Sequence, residues 1–591
     1  MRVRVLLLCA IFYQGCAAAA AAAEADRSWI ATSDRDTQLL LTAQAAFNPE
    51  TASQSGAAIY DGRAIDLGPK LEARRAAALQ PVLQQLEQRL AQERNPRIQE
   101  DLRILIQAAQ RDLEDQRLQR RYFVAWTDAP NLMFKGISGL LDQQVSAERR
   151  GKALELLRRY VGDWPGTTPL VEQAKARFVE TRTPGVRGPD RTALNDAITN
   201  AGTYARGIRK LFETYHIAGA EPALAKLDAQ VAEYTAWEET VVLPISRRDF
   251  HLPAEVYAFR LKTRGIDIPP SLLMQQARVE FAETRAAMIA LAPQVAREKG
   301  WTLTRYQDVI GRIKTMAIPR DKLESTYAEV MARNEAVIRR ERIVDLPDRP
   351  TQMRIATDAE AAASPAPHMQ APRMINNNGE HGVFVLTSGV GGTDPNSAYD
   401  DFNSLAVAWT VAAHEARPGH ELQFSAMAQR GVSQARAIYA FNSVNVEGWA
   451  LYAEAEALPY HPLDGQLMAL QARLLRAARA MLDPMLNLGM ISIEDARRVL
   501  IDQACQSPAM ARQEIERYTS RAPGQAGSYF YGYTRLLQLR MEAELALGNR
   551  FDRLAFNNFV LDQGLVSPDL LAKAVREIFI PTVRAAPVQG G

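Results

Sequence analysis

The sequence predicts a mainly α-helical protein, folded as two lobes around one cleft, with a short β segment in its second half. Three observations lead there. Apolar residues recur at spacings of three and four along most of the chain, as at Leu83, Leu86 and Leu90 among Gln, Glu and Arg. Residues 346–395 break that period with Pro, Gly and Asn. The 591 residues, 47% hydrophobic and 23% charged, supply a large core and exclude a disordered chain; length alone suggests several domains, but large helical enzymes commonly close two lobes on one cleft.

At the N-terminus, Arg2 and Arg4 precede an apolar run, residues 5–13, and a small-residue tract, residues 16–23, in the order of an export signal ending at about residue 23. The run is too short to span a bilayer, so no transmembrane helix is expected in the mature chain. Gly15-Cys16 also resembles the end of a bacterial lipoprotein signal, although Tyr13 stands where that pattern prefers Leu. A lipid anchor on Cys16 is thus the alternative to cleavage in the alanine tract, and the expected location is periplasmic or envelope-associated. With Cys9 and Cys16 in or beside the signal, Cys505 remains alone, which excludes an intrachain disulfide and a cysteine-rich metal site.

Residues 24–345 read as a helical scaffold lobe and residues 346–591 as a catalytic lobe. The dense charges of residues 72–121 alternate in sign, the pattern of a solvated helix face. Seventy Lys and Arg against 68 Asp and Glu leave a net charge of +2, so no overall field draws the chain to nucleic acid, and a small or peptide substrate fits better. Residues 369–375 and 382–387 flank Asn376-Asn377-Asn378-Gly379, where Asn-Gly supplies the positive φ of a tight turn, and predict a β-hairpin. Gly389-Val390-Gly391-Gly392 lacks the Lys and Ser/Thr of a phosphate-binding loop and reads as a flexible connection. Helical periodicity returns at residue 403 and runs to about residue 579; no internal repeat is visible.

Seven histidines occur in the chain, and two of them, His414 and His420, fall six apart in His414-Glu415-Ala416-Arg417-Pro418-Gly419-His420. A catalytic zinc needs about three nitrogen or oxygen ligands and one open position, so His and carboxylate clusters are where to look. The common motif sets two histidines four apart on one helix face; six apart on a regular helix places the second about 240° round. Pro418 clashes with the carbonyl of His414 and Gly419 relaxes the backbone, so the helix must kink or bulge here, which can restore convergence on one metal. Leu405, Ala408, Trp409 and Ala412 form an apolar stripe that anchors His414. Glu447, followed by Gly448, is the expected third ligand, and Glu454, two turns on, an orienting partner for a histidine. Glu415 is the expected general base. Among the glycine-loosened residues 523–533, Tyr529 is the first choice as donor to a developing oxyanion, with Tyr531 and Tyr533 as alternates that packing explains as readily. His461, followed by Pro462, reads as a helix-end histidine.

At these residues the chain resembles the bacterial proteins grouped as domain of unknown function 885. Their hallmark is His-Glu-Gly-x-Pro-Gly-His-His-Leu-Gln, then Glu-Gly-Trp-Ala-Leu-Tyr-Ala-Glu, then Pro-Gly-Gln-Ala with a Tyr shortly after; here the blocks stand in the same order at His414, Glu447 and Pro523. The resemblance implies a zincin-like helical fold similar to zinc oligopeptidases and carboxypeptidases, with the hairpin lining the cleft, and supports His414, His420 and Glu447 as ligands of one Zn2+ and Glu415 as base. Ala416 replaces the usual Gly, and Glu421 replaces the second His of the Gly-His-His element, where it would become an oxygen ligand or mark a changed activity.

The expected function is hydrolysis of short peptides by a zinc-bound water. A non-catalytic metal- or peptide-binding envelope protein, or a zinc hydrolase of another amide or an ester, are the alternatives. Arg354, Arg373, Arg535 and Arg540 are each able to bind a terminal carboxylate and equally able to serve as surface or salt-bridged residues, and nothing in the sequence chooses between exo- and endopeptidase action or fixes an oligomeric state.

Overall fold

The computed structural model describes residues 27–364, 366–387 and 400–585. The signal segment with Cys16 and the glycine stretch 389–392 lie outside them. Helix predominates among the described residues, and the strands form one three-stranded sheet, a mainly α fold as the periodicity predicts. None of the described helices is long and apolar enough to cross a membrane.

Three large apolar cores hold the molecule together. Helices Ser28–Ala45, Leu71–Gln92 and Pro96–Tyr122 bring Leu40, Leu86, Leu102 and Leu105 against Leu422, Trp449, Leu536 and Phe556 from the far end of the chain. The last of these helices starts where Asn95 accepts the backbone N–H of Arg97 and Pro96 occupies the first turn, a position that needs no donor. Most of its charges face outward, as in the pair Arg117–Glu114 at 2.8 Å, but Asp101 is fully buried and accepts Ser33, Ser433 and Arg436. Helices between residues 129 and 237 enclose a second core with Phe134, Leu157, Tyr160, Tyr204 and Tyr234. In the third core the long helix Pro270–Glu298 lies along Leu463–Asn487, with Met288 and Ala292 among Leu474 and Ala478. The first and third cores take residues from both sides of residue 345.

Strand Val383–Leu386 lies between the other two, parallel to Gln352–Ile355 and antiparallel to His368–Gln370, with Gln352 opposite Val383 and His368 opposite Val385. The antiparallel pair is the expected one, but it is no tight hairpin. Pairing stops at Gln370 because Pro372, two residues on, has no N–H to donate. The intervening residues leave the sheet instead: the Ile375 N–H donates to the Ser55 carbonyl, and its side chain joins Leu41, Ala45 and Ala52. Asn377 organises the turn by accepting the N–H groups of Gly379 and Glu380.

Candidate metal centre

The helix Leu405–Glu415 carries His414 into the middle of the molecule. Every residue from Ala406 to His414 is buried, as befits a helix apolar on all sides, whereas Leu405, expected in its anchoring stripe, is 51% exposed. The helix stops at Glu415. A second helix, His420–Arg430, starts five residues on, so the two histidines sit on two helices rather than on one kinked helix. The connection is tightly specified. The Arg417–Pro418 peptide is cis, and a Cβ on Gly419 would lie 1.9 Å from the His414 carbonyl oxygen, so only glycine fits. The Trp449 indole N–H donates to the carbonyls of Pro418 and Gly419 at 3.0 and 3.3 Å.

Glu447 comes from the helix Ser443–Ala457, which crosses the helix Ser528–Leu547 with backbone against backbone. A Cβ on Gly448 would meet Gly532 Cα at 2.7 Å, and one on Gly532 would meet the Val444 carbonyl oxygen at 2.0 Å. This crossing sets Tyr529 near the same point as Glu447.

The three side chains converge. Glu447 Oε2 lies 3.5 Å from His414 Nε2 and 3.4 Å from His420 Nε2, beyond hydrogen-bond length, and makes no hydrogen bond of its own. Among the described residues His414, His420 and Glu447 are the one group of three whose ligand atoms lie within 4.8 Å of one another. Glu454 takes His414 Nδ1 at 2.7 Å, leaving Nε2 for the centre, and is itself held by Thr410 at 2.9 Å and Arg476 at 3.4 Å. Glu415 comes within 3.9 Å of His414 Nε2, and its Oε2 is buried without a hydrogen bond.

The electrostatics follow from that crowding. Burial disfavours a charged His414, but Glu447, Glu454 and Glu415 outweigh it and push the imidazole up to about 9. Burial likewise disfavours the Glu447 carboxylate, and the two histidines hold it far below the usual carboxylate range. Tyr529 stacks 6.3 Å from the His414 ring; burial and the charge of Glu447 push its phenol up, so it keeps its proton and is able to donate.

The other expectations sort themselves by what each side chain touches. Tyr531 donates to Asp267 and receives Arg535, while Tyr533 packs in a core beneath Arg473; neither lines the cavity around the centre. Glu421 is turned away from the cluster. Fully buried, it accepts Arg417 Nε at 2.6 Å and Ser425 at 2.6 Å, and Arg417, 2% exposed, also reaches Glu335 and the Arg349 carbonyl. His461 follows a helical turn, as expected, but is buried against Asn334. Arg354, Arg373, Arg535 and Arg540 pair with Glu360, Glu380, Asp569 and Glu456. The arginines that do face the cavity, Arg264, Arg476, Arg479, Arg517 and Arg521, were invisible in the sequence because they come from three separate segments without a shared motif. The cavity holds about 600 Å³ and is bounded on one side by His368 and Met369 of the sheet.

The family of bacterial proteins of unknown function called DUF885 matches residues 49–575. The chain belongs to this family. Two solved structures share the fold: a "putative lipoprotein" from Colwellia psychrerythraea, 18% identical with a TM-score of 0.73 over 94% of this chain and 100% of that one, and a "putative lipoprotein of unknown function" from Shewanella oneidensis, 17% identical with a TM-score of 0.65 over 92% and 99%. No curated protein matches the sequence.

Proposed function

We propose that the chain is an exported zinc-dependent hydrolase that cleaves peptide bonds of short peptides. The observation that carries this reading is the approach of His414 Nε2 and His420 Nε2 to Glu447 Oε2 at 3.5 and 3.4 Å. Two ligand atoms on a tetrahedral zinc with bonds of about 2.1 Å are separated by about 3.4 Å, so the donor set and its spacing fit that ion. His414, His420 and Glu447 would hold the zinc, which would supply Lewis acidity to lower the pKa of a water toward neutrality and to polarise a carbonyl.

The chain's own groups do the rest. The Glu415 carboxylate takes the proton of the attacking water and returns it to the leaving amine. The protonated Tyr529 phenol donates to the carbonyl oxygen as charge builds there. Glu454 fixes the tautomer and tilt of His414. The cavity has room for a few residues of peptide and none for a folded domain. Glu421, the departure that motivates a non-catalytic reading, occupies a salt bridge outside the centre, which favours the catalytic one. Envelope association rests on the N-terminal signal pattern and on the lipoprotein titles of the two structural relatives.

Zinc analysis of the purified chain should give about one ion per molecule. Incubation with a peptide library followed by mass spectrometry should show cleavage, and Glu415→Gln should retain the zinc while losing about 10²–10⁴-fold in rate. Fully bound zinc with no cleavage of any peptide would sink the peptidase reading.

A further inference from the structure

The five arginines of the cavity are not alike. Arg479 is held by Glu514 through two bonds of 2.7 Å, and Arg517 lies 3.5 Å from the same carboxylate. Arg521 meets Glu516 at 3.3 Å and Arg476 meets Glu454 at 3.4 Å. Arg264 makes no hydrogen bond or ion pair among the described residues, and its Nε is fully buried. A half-buried guanidinium whose donors no protein group receives is costly to keep in a folded chain unless something else supplies an acceptor. Burial and the neighbouring Arg260 weaken its hold on the proton, which the charge of Asp483, a carboxylate bonded to the Gly524 and Ala526 N–H groups, offsets only in part.

Arg264 is also firmly placed. It ends the helix Ala254–Arg264, whose cap, Gly265 at φ 93°, is pressed against Asn442 and Val444 at the start of the Glu447 helix; a Cβ there would meet them at 2.8 and 3.0 Å. The same helix packs against Gly524, in the loop that leads into the Tyr529 helix. Tyr529 lines the same cavity close enough to act on the charge of Arg264; it receives Arg517 Nη1 at 3.3 Å and lies 4.6 Å beneath the Arg479 guanidinium. The cavity wall therefore carries five arginines against three carboxylates paired with them, and the arginine that makes no ion pair is locked to the two helices that bear Glu447 and Tyr529.

We infer that Arg264 is the binding site for a carboxylate of the substrate, so that the peptides taken are those with a negative charge on the Tyr529 side of the bond to be cut. This rests on the hydrolase reading for the word substrate, while the anion site itself does not. A free C-terminal carboxylate and an acidic side chain offer the same chemistry; a guanidinium receives either through charge-assisted hydrogen bonds.

The test is calorimetric titration of the zinc-loaded Glu415→Gln chain, which leaves the probes uncut, with three acetylated tripeptides: a free acid, its C-terminal amide, and an amide ending in glutamate. The free acid, or the glutamate amide if a side chain is the true ligand, should bind at least about tenfold more tightly than the neutral amide. Arg264→Gln should reduce that preference below about threefold, and Arg264→Lys should retain part of it. Repeating the titrations after chelation separates the arginine from the metal: a preference that survives metal removal belongs to Arg264. Equal binding of all three probes, no binding of any, a preference lost with the metal, or one undiminished in Arg264→Gln overturns the inference. Cleavage of neutral and acidic peptides alike would leave the hydrolase and remove the anion site; acid-selective binding without cleavage by the native chain would do the reverse.

Discussion

Glu421 shows how a single residue can be misplaced by reading along the chain. Standing where the family's second histidine stands, it invites a ligand's role. Yet neighbours on a helix point about 100° apart, so a residue next to His420 faces elsewhere, and here it meets Arg417 in the core. Glu421→His should therefore cost about 1–3 kcal/mol by removing one of the two carboxylates that hold the buried Arg417, read as a fall in the denaturation midpoint, with no gain in peptide cleavage. Glu454 is the opposite case: seven residues after Glu447 it returns to nearly the same helix face, and that spacing made its role beside His414 legible. His461 makes a pH prediction. Burial depresses its imidazole to about 4, so the folded chain holds it neutral while the unfolded chain protonates near 6.5. Its contribution to stability is complete above pH 6.5 and is lost as pH falls toward 4, by up to about 3 kcal/mol. Chemical denaturation at pH 7 and pH 4.5 should show a smaller drop for His461→Gln than for the native chain; an unchanged drop would exclude the effect.

Among the elements, the break between the two histidines was legible in kind but not in extent. Pro418 and Gly419 announce an interrupted helix; that the interruption separates two helices depends on Trp449 binding the connection and on Arg349 and Glu335 receiving its Arg417, residues distant in sequence. The sheet divides similarly. The runs flanking Asn-Gly located two strands, the first only at its start, whereas Gln352–Ile355 pairs in parallel with a partner about thirty residues away and carries no local turn signal. The crossing of the Glu447 and Tyr529 helices makes a sharp prediction. Gly532→Ala drives a methyl into the Val444 carbonyl and must spread the helices. The expected outcome is a loss of about 1–3 kcal/mol together with weaker zinc binding, measured by thermal melting and by competition with a chromophoric chelator. Gly151→Ala, on a helix with open space around it, should leave both unchanged.

For the whole molecule, a metal ligated from separate helices would tie the centre to global stability. An ion that binds the native chain alone stabilises it by about 2.7 kcal/mol when present at a hundredfold excess over its dissociation constant, so a chelator should lower the calorimetric melting temperature and added zinc restore it. The division of the chain at residue 345 was drawn from composition, which registers where helix gives way to loop and carries no information on which helices share a core. Leu86 and Leu105 share one with Leu422 and Trp449, and Trp449 holds the connection between the histidines. It follows that the site has no short list of guardians. A side chain swapped in the first hundred residues reaches it through a continuous stack of apolar contacts, so inactivating changes should be scattered along the whole sequence, and a screen for lost activity would recover the scaffold's buried leucines as readily as the histidines themselves.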